Sequence, residues 1–458
     1  MASAAEQLAS NLSWSNFGRA KELQQRILYT FLLLCVFRVG TYIPVPGIDG
    51  AELKAFFADY GAGFGDMINM FTGGALQQAA IFSLGIMPYI SASIIIQLLS
   101  STIPSLEALK KEGEPGRKKI NQYTRYLTVI LAIFQAYGWS AVMESQGLVV
   151  NPGMMFTIGA VTTWVGGTMF LMWLGEQITA RGIGNGVSLI IFVGIVAHLP
   201  GGIARFFSAS EQLGTGFVPM ILIILLIIAL ITFIVFVERA MRKVVVQYQR
   251  RQVGNKVYGG ESSHLPIKLN PSGVIPAIFA TSVLVMPITL LSSRLQGGET
   301  GVLGTVMAYI GNGQPGFYVI FAALIVFFAY FYTFNVAFKV DDAAENLKKH
   351  GGFVPGIRPG ARTAEFLEYV TKRILVAGSI YLVIVCIFPS IIQNLYSVPV
   401  VLQGTSLLIV VSVTMDTVSQ IQSHLLAYQY EGLLEKSKLR GKDRAKARRK
   451  APKRKARK

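Results

Sequence analysis

The stretch Ile81–Ser100, IFSLGIMPYISASIIIQLLS, decides the fold. It holds no charge over its twenty residues, enough helix to cross a hydrocarbon core of about 30 Å. It makes a poor inert anchor, however. Pro88 has no N–H for the carbonyl four residues back, and Gly85 weakens the same turn. Ser91, Ser93 and Gln97 add polar groups to the turns that follow. In lipid, such interruptions persist only where protein or a water-filled cavity satisfies the freed backbone groups. The stretch therefore predicts a broken span.

A second segment echoes it. Gly273–Thr281 reads GVIPAIFAT, and Gly85–Ser93 reads GIMPYISAS. Glycine, proline, isoleucine and alanine coincide. Apolar segments interrupted by Gly and Pro at matching places in two halves point to a transport path between inverted repeats. Taken alone, the echo also has a plainer reading, because short apolar segments resemble one another.

Composition sets the class. Of 458 residues, 52% are apolar and only 14% charged, and mean hydropathy is +0.50, where a soluble chain carries about 25% charged residues. This predicts a polytopic membrane protein with ten spans, at about 27–43, 81–100, 124–143, 154–174, 183–199, 217–237, 274–292, 317–337, 374–393 and 404–425. The polar N-terminus lacks a cleavable signal pattern. Cys35 and Cys386 lie in apolar segments without ligand spacing, so neither a disulfide framework nor a metal site is expected, and no cofactor. Net charge is +18, and 38 of the 42 Lys and Arg fall on one side of the ten-span arrangement. That asymmetry makes the basic side, with both termini, cytoplasmic.

The order of domains follows. Residues 1–26 form a cytoplasmic N-terminus; from residue 13 on, Trp14, Phe17 and Leu23, with Ile27 just beyond, lie among Arg19, Lys21 and Arg26, as in a short amphipathic surface helix. Residues 27–205 carry spans one to five, and 206–430 carry spans six to ten. Residues 431–458 are a basic tail, expected to be disordered and drawn to anionic lipid or RNA phosphate. Arg38, near the outer end of span one, reads as a side chain reaching the interface by its long stem. Residues 198–216, with Pro200-Gly201-Gly202, are an outer loop joining the halves, either hinge or plain connector.

Between spans one and two, Phe64–Ala79 is apolar, helical in pattern to Phe71, broken at Gly73-Gly74, and too short to span. It reads as a re-entrant segment or as a surface loop with a helical turn. On the cytoplasmic side, Val244, Val246 and Tyr248 fall on alternate positions, as do Leu265, Ile267 and Leu269, with two short strands around Arg250–Ser263. A projecting hairpin follows. In 338–373, Asp342–Glu345 can start a helix and Gly351-Gly352 end it; Pro355 and Pro359 then stiffen the chain around Arg358.

Several long stretches now point to one family. They are PVPGID (44–49), GGALQQAAIFSLGIMPYISASIIIQLL (73–99), KKEGEPGRKKINQYTRY (110–126), RGIGNGVSL (181–189), RRQVGNKVYGGESSHLPIKLNPSGVIPAIFA (250–280), FVPGIRPG (353–360) and TSLLIVVSVTMD (405–416). From Arg26 to about Leu434 the sequence resembles the SecY family of protein-translocation channels. The resemblance implies ten transmembrane helices in two inverted five-helix halves, a re-entrant plug helix and a small cytoplasmic β-hairpin. It implies an hourglass pore with a side opening to lipid between spans two/three and seven/eight. By position, the pore ring falls on Ile86, Ile90, Val187, Ile191, Ile278 and Ile409, with Val187 one methylene short of the commoner isoleucine. The plug is Phe64–Gln78, including Met67, Ile68, Met70, Phe71, Gly73 and Gly74. Arg250, Arg251, Lys256 and Arg358 are implied to meet the motor ATPase SecA or the ribosome. The small membrane subunits SecE and SecG, signal peptides, nascent membrane proteins and anionic lipids complete the implied partners, and the bacterial cytoplasmic membrane the location.

The residues themselves are consistent with this. Ile86/Ile90 and Val187/Ile191 are spaced i,i+4, one helix face each. An aliphatic ring offers no hydrogen bonds to a passing peptide and can exclude ions by dewetting. Unaided by the resemblance, each isoleucine reads more readily as a lipid-facing or packing residue. Two other classes fit less well. A secondary transporter built on inverted repeats usually holds ionisable groups at mid-membrane, whereas here Glu176 and Asp416 lie towards cytoplasmic ends. An enzyme is not expected: no GxSxG, HExxH or Walker A motif occurs, and His198, His264, His350 and His424 are scattered.

Overall fold

The computed structural model describes residues 21–60, 69, 71–212, 217–248, 251–253, 256–258, 262–284, 314–396 and 403–450. In the first half the helices are α1 (Lys21–Gly40), α2 (Gly50–Tyr60), α3 (Met87–Thr102), α4 (Pro104–Lys111), α5 (Glu114–Ser145), α6 (Met154–Arg181) and α7 (Gly186–Gln212). The second half contains α8 (Phe217–Arg239), α9 (Ile275–Leu284), α10 (Pro315–Tyr332), α11 (Val340–Lys349), α12 (Ala361–Tyr396) and α13 (Gly404–Lys450). Among the described residues, eight helices are long and apolar enough to cross a membrane, and the α3/α4 pair, bent by 97°, makes a ninth. The seventh expected span is described only over the ten residues of α9.

The deciding stretch is not one broken helix. Residues 81–86 are a chain of turns, and α3 begins at Met87 with Pro88 in its first turn. There the missing N–H costs nothing, because first-turn amides have no intrahelical partner. Gly85 takes φ +56° to enter the helix. The echoed segment does the same: Gly273 takes φ +61° and Pro276 falls in the first turn of α9. The repeat is thus a repeated helix start. The turns preceding α3 are satisfied by protein. Trp164 Nε1, fully buried, donates to the Ala80 carbonyl (3.2 Å), Ser83 Oγ donates to Ala75 O (3.0 Å), and Ile81 N donates to Ile43 O (3.0 Å).

Packing builds two groups. In the first half α3 lies on α5, α5 on α6 and α6 on α7. At the α6–α7 crossing a Cβ on Gly186 would run into the Gly175 carbonyl, so only glycine allows that approach. In the second half α10 packs on α12 and α12 on α13, and α13 also contacts α7 and α8. One apolar cluster runs through both groups, from Phe37, Ile90 and Ile191 to Phe279, Phe328, Leu382 and Ile409.

At the basic end, β1 (Met241–Tyr248) and β4 (Ser262–Lys268) pair antiparallel, Val244 opposite Leu265. β2 (Arg251–Val253) and β3 (Lys256–Tyr258) form a second hairpin at the tip. The expected hairpin is present and longer than its sequence signal. A third strand, β5 (Gly352–Phe353), adds to β1 and ties the 338–373 loop to it. Val244, Ile267, Val354, Leu367 and Ile374 make the small core beneath.

Four expectations change. The 198–212 loop is helix, because α7 continues through Pro200 to Gln212. The start expected at Asp342 comes two residues earlier, at Val340. Residues Lys21–Arg26 belong to α1 rather than to a separate surface helix, whose Trp14, Phe17 and Arg19 lie outside the described residues. The tail is helical as far as Lys450, where Ala, Lys and Arg all favour helix.

Candidate functional site

The aliphatic side chains singled out by spacing converge. A cavity of about 640 Å³ lies between the two groups and is lined by Ile90 of α3, Val187 and Ile191 of α7, and Ile275 and Ile278 of α9. Ile86 (3% exposed) and Ile409 (0%) do not line it but belong to the same buried cluster. Four of the six expected ring residues therefore share one cavity wall, and the other two sit in the apolar mass around it. Ile86 is the residue just before α3, yet its carbonyl still accepts from Ile90 N (3.1 Å), which keeps the pair one turn apart. Val187 is the second residue of α7, placed there by the Gly186 approach to α6.

Above these residues the wall turns polar. Ser93, Gln97, Asn121, Thr179, Asn185 and Ser188 line it towards the basic end. Arg125 of α5 donates through Nε (3.2 Å) and Nη2 (2.6 Å) to the two carboxylate oxygens of Glu176 on α6. Both side chains are about half exposed in the cavity, so the fork fixes geometry more than it stabilises. This pair was not among the expected site residues. Its only signal was one opposite charge near the end of each of two successive spans.

A second cavity of about 470 Å³ adjoins the first, sharing Asn185, Ser188, Ile275 and Tyr332. Its wall includes Asn270, whose Nδ2 donates to Glu238 Oε1 (2.9 Å) and to the Gly273 carbonyl (3.0 Å), while Ser272 Oγ donates to Asn270 Oδ1 (2.9 Å). This network sets the turn from which α9 starts. The arrangement is a vestibule, polar towards the basic end, whose floor is aliphatic. Such a floor can pass an apolar or a polar chain without selecting among them, and can hold back ions when narrow. Among the described residues no group of His, Cys, Asp and Glu could hold a metal ion.

Of the expected plug, Phe64, Met67, Ile68 and Met70 lie outside the described residues. Phe71, Gly73 and Gly74 are described, with Phe71 buried and both glycines at positive φ. Arg38 corrects the expectation made for it. Its Nη1 donates to the Gly73 carbonyl (2.6 Å) and its Nη2 to Tyr42 Oη (2.6 Å), so it is engaged with protein rather than stretched to an interface. Among the expected partner-binding residues, Arg358 is exposed on the turn after β5, Arg251 and Lys256 fall in β2 and β3, and Arg250 lies outside the described residues.

Comparison with known proteins agrees with this geometry. The family profile described as SecY matches residues 80–418. The protein translocase subunit SecY of Escherichia coli strain K12 is 49% identical over 430 residues, covering 93% of this chain and 96% of that one. A solved structure of a SecY protein, described by its plug domain stabilising the closed state of the translocation channel and maintaining a membrane seal, superposes with a TM-score of 0.60 at 17% identity, covering 88% of this chain and 92% of that one. Sec61 in a canine ribosome–channel complex superposes with a TM-score of 0.59 at 16% identity and the same coverage. The identity with the bacterial protein, held across nearly the whole length, settles what the pore-like geometry and the repeated helix starts suggest. The chain belongs to the SecY family of protein-translocation channels.

Proposed function

We propose that this protein-conducting channel works by a ring-and-plug gate in a bacterial cytoplasmic membrane, with both termini and the basic loops in the cytoplasm. One observation carries the reading: aliphatic side chains from α3, α7 and α9 floor a single cavity between the two helix groups. Ile86, Ile90, Val187, Ile191, Ile278 and Ile409 form the constriction. Phe64–Gln78 is the plug, and a relative's plug described as sealing the closed channel supports that role.

An apolar signal segment enters between α3/α5 and α9/α10, where it meets lipid on one side and the cavity on the other. Its preference for the open state shifts the equilibrium towards that state. Hydrophilic chain then passes the ring, and apolar segments leave sideways into lipid. The hairpin tip with Arg250, Arg251 and Lys256, together with Arg358, presents basic groups to the ribosome or to SecA, and a ribosome-bound relative supports the first of these. SecE and SecG are the small membrane subunits of the assembly, and the basic side meets anionic lipid. The driving energy comes from SecA, from the ribosome or from the membrane potential.

Site-specific photo-crosslinking from Ile90 and Ile278 to a secretory protein arrested midway tests the reading. The expected result is crosslinks that move along the client in sequence order as it advances. Transport continuing with crosslinks absent at both positions returns these residues to packing.

A further inference from the structure

Among the described residues that line the first cavity, the charged side chains are Arg125 and Glu176. The proposed ring uses neither. The same wall carries Ile90 of α3, Arg125 of α5, Ile278 of α9 and Tyr332 at the end of α10. Those four helices flank the proposed side opening, so a segment entering between them comes up against this ion pair.

Glu176 can accept a second cation. Its Oε1 accepts from Arg125 Nε (3.2 Å) and its Oε2 from Arg125 Nη2 (2.6 Å). A carboxylate has about four lone-pair sites, so each oxygen keeps one to spare. Both side chains are partly exposed, and a solvated pair of this kind yields to a competing cation at little cost. Position matters as much. Glu176 lies five residues before Arg181, the last residue of α6, about 8 Å along the helix. In a chain of net charge +18, a basic group is repelled over most of the surface and is accepted where a carboxylate faces open space.

A signal segment has the matching distribution of charge: a basic stretch, then an apolar core of about 7–15 residues. With its core against Ile90 and Ile278, the basic stretch falls at the polar end of the same cavity, where Glu176 stands beside Asn121, Thr179 and Asn185.

We propose that Glu176 is the acceptor for the basic residues ahead of a signal's apolar core, and that Arg125 competes with them for it. The fork thereby sets how strongly the channel discriminates signals by charge. This rests on the reading of signal entry given above.

The test uses the full translocase in vesicles, engaged by an arrested client whose signal carries two lysines ahead of its core. A carbodiimide joins amine to carboxylate only where the two touch, and mass spectrometry maps the join. The expected amide is to Glu176, and it is lost in Glu176→Gln. In Arg125→Gln its yield is expected to rise about threefold, the shift from removing one partly exposed competitor. Arg125→Lys, which keeps a competing cation without the two-pronged fork, is expected to return the wild-type yield. If the pair merely tied α5 to α6, engagement would fall in Arg125→Gln as it does in Glu176→Gln, and that result overturns the proposal. An amide to Glu238 or Asp416 of the adjoining cavity, in place of Glu176, overturns it too. Photo-crosslinks from Ile90 and Ile278 to the signal core separate the two readings. Core crosslinks without the Glu176 amide overturn this proposal alone, whereas their absence overturns signal entry at this place and the proposal with it.

Discussion

Ile409 is fully buried, in the same cluster as Ile90 and Ile191. Replacing it with asparagine buries an amide within that apolar cluster, at a cost of about 1–3 kcal/mol to the packed arrangement. If that arrangement is the closed state, the closed-to-open ratio falls by about 5- to 150-fold. Ile409→Asn is therefore expected to pass clients whose signal has a shortened apolar core, measured as translocation into vesicles beside the intact signal. Unaltered discrimination makes Ile409 a packing residue. At this scale the sequence carried the spacing of Ile86/Ile90 and Val187/Ile191, which fixes a helix face but not what the face meets. Lipid and pore both accept isoleucine, so only the fold separates Ile90 in the cavity from exposed Ile130 on α5. Arg38 was misread for a related reason: its acceptor, the Gly73 carbonyl, is thirty-five residues away and carries no side-chain signal.

Elements were legible where periodicity or charge ran long. The alternation of Val244, Val246 and Tyr248 marked β1, and the extended apolar runs marked the spans. β5 was not legible, since two residues hold no period, yet it joins the two basic loops into one body. The continuation of α7 past Pro200-Gly201-Gly202 was hidden by residues that usually end helices. This joined body yields its own prediction. Val244 is 7% exposed, over Ile267, Val354 and Leu367. Val244→Asp buries an unpaired carboxylate, a change of several kcal/mol against a core this small. Proteolysis between β1 and β4 is expected to speed up and ribosome binding to weaken, while the thermal midpoint of the membrane bundle stays. A bundle that unfolds with the loops would show the two to be one cooperative unit. Arg358→Glu, on an exposed turn of the same body, is expected to weaken partner binding without the proteolytic change.

For the molecule as a whole, the two helix groups meet at the cavity, and the proposed ring passes a chain only if they part there. Ile90 and Ile278 stand on opposite groups and line the same space. Cysteines at both positions, with exposed Cys35 replaced and buried Cys386 retained, can be bridged by a short reducible crosslinker. Bridging fixes the separation of α3 from α9 without touching the β1–β4 body, so ribosome binding is expected to persist. Client passage is expected to fall by more than tenfold, because a span-sized opening cannot form while the bridge holds. Reduction is expected to restore it. The same bridge on a channel that merely rocked around a small solute would leave binding of that solute intact and block its release. Loss of passage with retained ribosome binding, reversed by reductant, thus distinguishes a pore that widens for a polypeptide from a site that alternates. Passage unaffected by a complete bridge would mean that the polypeptide path does not run between α3 and α9.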